Sequence, residues 1–393
     1  MRLIRLIRPI RLIRLIGPMR PIGLIRPMRL IGLISLMSCS SSDELQQPVD
    51  PEIAISFGGQ MQDEQSITRS TTQKDGVHAI TRSTSPLKDE VQTFTVWGFK
   101  NTEWDATNGY TAYQTVFNKY RVNWNDGSGT TTTNSSGWEY VGQQIPGSTT
   151  QTVKFWDYSA KAYRFMAVSG ETVTGAYKAY EANEAHEAYG AYELTFTADA
   201  DNESGTPFYS HLWFSTYSSN EFGSPVTLEF VKPLCKVRFM FIYEDPSKIA
   251  QLTNMHFRPS SGTTIKRKGD ITVSYPLTGT ASTPTETLTI SANAGGISEF
   301  TKNYYTTPDD AGKEYWYTVL PAPNGQSAYS LTVSVDGDPK DAVVPAEFMT
   351  WLPGYKYTYI FKVHVDGSVT IDDVQSAFTP WTESTEERTV FNW

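Results

Sequence analysis

Cysteine is almost absent from this chain, since its 393 residues include only Cys39 and Cys235. Two cysteines cannot build a disulfide-stapled scaffold. Cys235 alternates with Val237, Phe239 and Phe241, which would place all four on one face of a strand. We interpret Cys235 as buried apolar filler, with a reactive thiol as the alternative.

The chain also lacks long hydrophobic runs, and the part after residue 38 has no excess of basic residues. No stretch of 18 apolar residues exists, so the sequence predicts no transmembrane helix. Residues 1–38 hold eight arginines and no acid, and the remaining chain carries 25 basic against 42 acidic residues, a net charge of −17. An acidic body cannot neutralise phosphates, which excludes nucleic acid as a partner. It suits a soluble surface protein.

Motifs for catalysis or metal binding are also missing. The five histidines form no HExxH pair or other ligand cluster: His78, His186, His211, His256 and His364. No GxSxG, P-loop or GxGxxG precedes a helix. We therefore expect no cofactor, no metal site and no enzymatic activity.

The first 38 residues form a leader built on an Arg-Leu-Ile repeat. Residues 30–37 follow Arg29 as an uncharged, mostly apolar stretch with the length of a signal-peptide h-region. Met19 and Met28 are alternative starts, with repeat expansion as another origin of the tract. This segment is excluded from fold reasoning.

Cys39 ends the sequence Leu36-Met37-Ser38-Cys39, which resembles a bacterial lipobox. Acylation of its thiol and amine, for example with diacylglycerol and palmitate, would anchor the protein to the outer membrane, because two or more chains bind stably. Residues 39–50 would form a polar tether, and Ser42-Asp43-Glu44 resembles the export signal of surface lipoproteins. The alternative is ordinary signal cleavage beside an unrelated cysteine.

Beyond residue 50, period-two alternation of aromatic and β-branched residues predicts an all-β fold. The predicted strands are 52–57, 91–99, 116–124, 151–156, 163–168, 193–197, 226–230, 235–243, 271–275, 287–290, 315–320, 329–335, 355–365 and 368–374. Asp366-Gly367 predicts a two-residue type I′ hairpin turn. The alanine- and glutamate-rich stretch 176–192 favours a helix or an ordered insertion.

This pattern predicts two tandem β-sandwiches. The polar stretch 218–225 marks the boundary, which gives a first domain at 51–222 and a second at 223–393. The 51 aromatic residues all follow residue 50. We expect most of them in the cores, and Trp138 and Trp156 are the first candidates for exposed, sugar-stacking rings.

Two nearly identical arginine segments follow the first predicted strand: Ile67-Thr68-Arg69-Ser70 and Ile80-Thr81-Arg82-Ser83. Both lie in polar sequence of the kind that proteases cut. An ordinary soluble loop would contain such arginines as well.

The order of several motifs resembles the fimbrillin family, the Mfa-like and FimA-like pilus lipoproteins of gut and oral anaerobes. The motifs are Ile53-Ala54-Ile55-Ser56-Phe57, Thr68-Arg69, Phe94-Thr95-Val96-Trp97-Gly98-Phe99, Trp138-Glu139-Tyr140, Val153-Lys154-Phe155-Trp156, Tyr163-Arg164-Phe165-Met166-Ala167, the stretch 226–241, Pro353-Gly354-Tyr355-Lys356-Tyr357 and Thr379-Pro380-Trp381-Thr382.

The resemblance implies two transthyretin-like, Greek-key sandwiches and assembly by strand exchange. A trypsin-like protease would cut after Arg69, or after Arg82, and remove the first strand. Ile53, Ile55 and Phe57 would be the core-facing residues of that strand. A strand from another fimbrial subunit would then fill the groove. Residues 389–393 would serve as a donor strand or pair with their own domain.

Two functions compete. The first is a fimbrial stalk, anchor or tip subunit at the cell surface. The second is a glycan-binding surface lipoprotein that recognises host or bacterial sugars. A surface hydrolase has no support in the sequence.

Overall fold

The computed structural model confirms an all-β fold. It describes residues 52–61, 66–70, 87–125, 137–143, 145, 147–170, 173–180, 189–279, 286–292, 296–301, 304–305 and 316–378. Within these ranges lie 23 strands, the short helix α1 (Leu87–Glu90) and a 3-10 turn at Ala346–Phe348. Of the helices in these ranges, none has the length and apolar character needed to cross a membrane.

The strands are more numerous than the sequence pattern alone predicts. Up to residue 231 they are β1 (Phe57–Met61), β2 (Ser66–Ser70), β3 (Thr93–Asp105), β4 (Gly109–Trp124), β5 (Trp138–Glu139), β6 (Ala162–Ser169), β7 (Thr174–Tyr180), β8 (Tyr189–Asp199), β9 (Tyr209–Ser210), β10 (Trp213–Thr216) and β11 (Val226–Val231).

The remaining strands follow from residue 235. They are β12 (Cys235–Tyr243), β13 (Leu252–Pro259), β14 (Ile265–Lys266), β15 (Lys268–Pro276), β16 (Thr287–Ala292), β17 (Gly296–Ile297), β18 (Tyr304–Tyr305), β19 (Tyr317–Val319), β20 (Tyr329–Val335), β21 (Asp338–Val344), β22 (Tyr355–Val363) and β23 (Val369–Phe378).

One large sheet has the order β1-β11-β9-β6-β3-β4-β5, with β10 added against β6. Its central strands are buried on both faces, and all eight residues of β6 are buried. Phe165 and Ala167 of β6 face a first core that runs from Ile55 to Phe230. Met166 and Val168 face a second core that extends to Val374. The large sheet therefore separates two cores.

The sheets do not divide at the predicted boundary of 222/223. Strand β8 pairs with β15 over nine residues, from Lys268↔Asp199 to Pro276↔Ala191. Strand β11, which follows the boundary, belongs to the large sheet. The division into domains at 51–222 and 223–393 stays a prediction, and its two parts share strands in the same sheets.

The helix favoured within 176–192 is wrong for the described part. Residues 174–180 form β7, which pairs antiparallel with β8, and residues 181–188 lie outside the described ranges. Tyr177 packs edge-on against Phe99 and Tyr192, at centroid distances of 5.8 Å and 4.9 Å. These aromatic contacts and the ladder override the helix propensity of alanine and glutamate.

The predicted strand at 151–156 is wrong as well, because only Phe155 makes an isolated bridge there. Toward β4, the Gln151 side chain takes the place of main-chain pairing. Its Oε1 accepts a hydrogen bond from the Arg121 amide at 2.6 Å, and its Nε2 donates to the Arg121 carbonyl at 2.8 Å. A side-chain amide thus satisfies the groups that a strand would have bonded.

Two Asp-Gly dipeptides lie in hairpin connections, but they form different turns. Asp336 (φ 52°) and Gly337 (φ 93°) form the two-residue turn between β20 and β21, with positive φ at both positions. The predicted hairpin at Asp366-Gly367 is present, but positive φ there is confined to Gly367, at 81°. The Asp366 carboxylate accepts a bond from the Ser368 amide at 2.9 Å, which favours a wider loop than type I′.

Candidate functional site: the N-terminal strand and its slot

Residues 53–61 enter the first core as an extended segment. Ala54 bridges Phe155 in antiparallel orientation, and β1 then continues from Phe57 to Met61. Strand β1 is the edge strand of the large sheet. We call the space that residues 53–61 occupy the strand slot.

Main-chain hydrogen bonds hold the segment on two sides. On one side the Ile55 amide donates to the Lys154 carbonyl at 2.8 Å, and the Trp156 amide donates to the Ile53 carbonyl at 3.0 Å. On the other side β1 pairs in parallel with β11, from Phe57↔Val226 to Met61↔Phe230. The slot therefore offers rows of donors and acceptors to any extended chain.

Apolar side chains anchor the segment. Ile55 and Phe57 are fully buried, and Met61 is 5% exposed. The Phe57 ring has edge contacts with four aromatic rings, whose centroids lie at 5.2 Å for Phe117, 5.7 Å for Tyr140 and Phe165, and 6.4 Å for Phe94. Edge-to-face packing adds to the area that each ring buries.

Tyr140 joins the walls of the slot to the segment. Its hydroxyl donates to the Ile55 carbonyl at 2.9 Å and accepts from the Lys154 amide at 3.0 Å. Burial raises the pKa of Tyr140 well above its ordinary value, so the hydroxyl keeps its proton.

Leu87 of α1 covers the middle of β1. A Cβ placed on Gly59 would lie 2.2 Å from Leu87 Cδ2, whereas one on Gly58 would lie 3.5 Å from Thr227 Oγ1. Leu87 is 1% exposed. A side chain at residue 59 would therefore require the terminal methyl of Leu87 to move.

The predicted strand residues take different positions. Ile55 and Phe57 face the first core, and Ile53 is 42% exposed, because it precedes the bridge at Ala54 and lies at the mouth of the slot. The expectation that Ile53 faces the core is therefore corrected. Removal of this strand by proteolysis stays a prediction.

The predicted processing residues lie partly outside the described ranges. Cys39 and Arg82 are outside them, as are residues 389–393. Arg69 lies in β2, which pairs antiparallel with β23 in the register Arg69↔Val374. The polar loop expected around Arg69 is thus a strand at the edge of the sheet β18-β12-β22-β23-β2.

Sequence reasoning missed Met61, Tyr140 and Leu87 at this site. The predicted strand 52–57 shares only Phe57 with β1, because the Gly58-Gly59 pair ends the alternating pattern whereas pairing with β11 runs from Phe57 to Met61. Nothing in the local sequence of Tyr140 or Leu87 points to residues more than 25 positions away. The missed signal is a glycine inside an apolar strand, which indicates close approach by another group.

The aromatic residues named for sugar stacking are core residues. Trp138 is 3% exposed and Trp156 is 5% exposed. A separate cleft of about 440 Å³ is lined by Gln92, Asn123, Trp124, Asn125, Glu139 and Gln143. This cleft combines an aromatic ring with amides and a carboxylate.

The described histidines pair with single carboxylates. His211 Nδ1 contacts Glu286, His256 lies 3.2 Å from Glu299, and His364 lies 3.3 Å from Glu244. No group of three or more His, Cys, Asp or Glu side chains in the described ranges could hold a metal ion.

Comparison with known proteins gives structural neighbours only. No family model matches the chain, and no curated protein matches it. A proposed cell adhesion protein of Bacteroides uniformis is similar at 12% identity and a TM-score of 0.36, over 83% of this chain and 99% of that one.

Parabacteroides distasonis provides two further neighbours. One is a proposed cell adhesion protein at 9% identity and a TM-score of 0.34, over 84% of this chain and 99% of that one. The other is a fimbrial assembly protein at 12% identity and a TM-score of 0.29, over 81% and 99%.

Proposed function

We propose that this protein is a surface-anchored fimbrial subunit, of stalk, anchor or tip type, that assembles by β-strand addition. Proteolysis after Arg69 or Arg82 would release residues 53–61, and a strand of another subunit would fill the strand slot. The observation that carries the proposal is the placement of an N-terminal edge strand, with Phe57 fully buried, upstream of both arginines.

The position of the strand makes it removable by one cut. Strand β1 has one neighbour in its ladder, β11, and the rest of the first core comes from later residues. After cleavage, residues 53–61 are held only by non-covalent contacts. The body keeps its own core, since Phe94, Phe117, Tyr140 and Phe165 all follow the cleavage sites.

The empty slot would bind a new strand strongly. When residues 53–61 leave, main-chain groups of residues 154–156 and of β11 lose their hydrogen-bond partners, which is costly. Their departure also uncovers the apolar walls around Phe57. Each large apolar side chain that refills the slot contributes about 1.5–3 kcal/mol. A donor strand satisfies both needs at once.

Strand pairing limits the access of a protease to Arg69. Cleavage after Arg69 requires β2 to separate from β23, because a paired strand is protected until it opens locally. We therefore expect cleavage after Arg69 to be slower than local sequence suggests. Cleavage after Arg82 would release β1 with all of β2, and cleavage after Arg69 would release β1 with the first four residues of β2. Either cut would uncover an edge of β23 once the fragment leaves.

Lipidation at Cys39 would place the protein at the outer membrane before cleavage. A multiply acylated cysteine binds membranes stably, and residues 40–50 would tether the folded body to it. Cleavage after either arginine would release the body from this lipid. An anchor subunit would instead keep its N-terminal segment and remain attached.

Limited digestion of the purified chain with a trypsin-like protease tests the proposal. We expect N-terminal sequencing to find a new end after Arg69 or Arg82, and gel filtration to show oligomers. The Arg69→Gln/Lys74→Gln/Arg82→Gln variant is the control, because Lys74 lies between the two arginines, and it should keep residues 53–61 joined to the body and stay monomeric. A cleaved body that has lost residues 53–61 and remains a folded monomer at high concentration contradicts strand addition.

Glycan binding is the second candidate, and the cleft beside Trp124 favours it. Amide and carboxylate groups next to an aromatic ring are the usual elements of a small polar ligand site. Titration with surface polysaccharides should shift tryptophan fluorescence, and Trp124→Ala should abolish the shift. An unchanged spectrum across the polysaccharides would remove this candidate.

A further inference from the structure

We infer that Leu87 selects the strand that enters the strand slot, by requiring a glycine at the position of Gly59. The partner is an extended segment of another subunit, parallel to β11, with an apolar residue at the Ile55 position and an aromatic ring at the Phe57 position. This inference rests on the proposed function and adds the identity of the partner strand.

The contact between Leu87 and Gly59 carries the inference. A Cβ at residue 59 would lie 2.2 Å from Leu87 Cδ2, 3.4 Å from Cγ and 3.5 Å from Cβ. The first distance is far below van der Waals contact, and Leu87 is 1% exposed within the first core. Cδ2 is the flexible end of the leucine and would have to rotate away from a side chain at residue 59. Because Leu87 is buried among close-packed neighbours, that rotation costs packing energy.

Backbone conformation does not explain this glycine. Neither Gly58 nor Gly59 has positive φ, although twelve other glycines in the described part of the chain do. An L-residue could therefore adopt the backbone at either position. At Gly58 a Cβ would make only an ordinary contact, 3.5 Å from Thr227 Oγ1. The two adjacent glycines thus differ in one respect, which is the leucine above Gly59.

Leu87 stays with the body after cleavage. It follows Arg69 and Arg82 in the chain, and its carbonyl accepts a hydrogen bond from the Val91 amide at 2.7 Å within α1. The leucine therefore lines the slot when residues 53–61 leave. An incoming strand meets the same leucine at the same register position.

The slot also sets the direction and spacing of the partner strand. Parallel pairing with β11 aligns the Phe57 position with Val226 and the Met61 position with Phe230. The buried side chains at Ile55, Phe57 and Met61 define apolar positions, with glycine midway between the last two. The partner motif is apolar-x-aromatic-x-Gly-x-apolar.

Peptide capture during cleavage tests the inference. Full-length protein is digested in the presence of excess labelled peptide that spans residues 52–62, and retained peptide is measured by gel filtration. The peptides are the native sequence, Gly58→Val as matched control, and Gly59→Val. We expect native and Gly58→Val peptides to bind within about threefold of each other, and Gly59→Val to bind at least tenfold more weakly.

A body that carries Leu87→Ala identifies the leucine as the cause. It should recover most of the lost affinity for the Gly59→Val peptide. Equal retention of Gly59→Val and native peptides on the unmodified body overturns this inference and leaves the proposed function standing. Failure to retain the native peptide overturns both.

The intact chain provides a second measurement that needs neither cleavage nor Leu87→Ala. Gly59→Val should lower the urea midpoint of unfolding clearly more than Gly58→Val does. Equal midpoints for the two variants would show that Leu87 tolerates a side chain at residue 59, and would overturn the inference.

Discussion

The Tyr140 hydroxyl donates a hydrogen bond of 2.9 Å to the main-chain carbonyl of Ile55 from inside the first core. It links a residue of the body to the segment that we propose is removed. The carbonyl it satisfies points away from the ladder with β11, so a donor strand would have to present a carbonyl there as well. The Tyr140 hydroxyl is thus a hydrogen-bond donor that any strand in the slot has to match with an acceptor.

Tyr140→Phe should weaken the binding of residues 53–61 while keeping the aromatic ring in the first core. Loss of this bond leaves the buried Ile55 carbonyl without its hydroxyl donor, at a cost of about 1–3 kcal/mol. We expect residues 53–61 to dissociate about fivefold or more faster after cleavage. The release of labelled N-terminal peptide over time measures this. Tyr329→Phe is the matched control, since it loses a bond of 2.8 Å to Gln326 in the second core and should not change the release rate.

Phe57→Ala should destabilise the first core. Phe57 is fully buried against four aromatic rings, and truncation of such a residue costs about 3–5 kcal/mol. Urea unfolding of the uncleaved chain, followed by tryptophan fluorescence, checks the value. Ile53→Ala, at a residue that is 42% exposed, should cost under about 1 kcal/mol. Similar losses for the two variants would contradict the described position of the strand.

Cys39→Ala should release the uncleaved protein from membranes. The thiol of Cys39 is the predicted acylation site, and without acyl chains nothing in the acidic body favours a membrane surface. Fractionation of cells, or labelling with a radioactive fatty acid, measures the change. Cys235→Ala is the control, because Cys235 is fully buried in the second core and should not affect membrane attachment. Membrane retention of Cys39→Ala would refute the lipobox interpretation.

The pair His211–Glu286 should make stability depend on pH. Burial alone would lower the pKa of His211, but the Glu286 carboxylate more than offsets this, so the pKa of His211 is raised above 6.5. Burial alone would raise the pKa of Glu286, and its bond to His211 lowers that pKa below 4.5 instead. Glu229 adds to the negative field at His211.

The sign of the effect follows from linkage. The contribution of His211 is complete below its unfolded pKa of 6.5 and is lost as pH rises through the folded value. The contribution of Glu286 is complete above its unfolded pKa of 4.5 and is lost as pH falls through the folded value. The pair should therefore stabilise most between about pH 4.5 and 6.5.

Urea unfolding across pH 5 to 8.5 checks this prediction. His211→Gln should flatten the decline in stability above pH 6.5. His256→Gln, at an exposed contact with Glu299, should leave the profile close to that of the unmodified chain. A profile unchanged by His211→Gln would show that the ion pair does not contribute.

The local sequence determined most of the strands. Alternation in stretches such as Cys235–Tyr243 and Tyr329–Val335 predicted the observed bounds without error, because one buried face imposes period two on the residues. The same reasoning failed at 176–180, where contacts of Tyr177 with distant rings outweighed local propensity. It also missed the Asp336-Gly337 turn, although that dipeptide carries the same signal as Asp366-Gly367.

The sequence by itself determined an all-β chain, an acidic body, a candidate lipidation site at Cys39 and an opening strand with two arginines behind it. Only the tertiary structure decided that β1 pairs with β11, and β8 with β15, across the expected domain boundary. It also decided that Arg69 pairs opposite Val374 and that Leu87 lies over Gly59. The physical reason is the separation along the chain over which each kind of interaction acts. Alternation and turn chemistry act between neighbours along the chain, whereas pairing partners and close contacts join residues that the sequence keeps far apart.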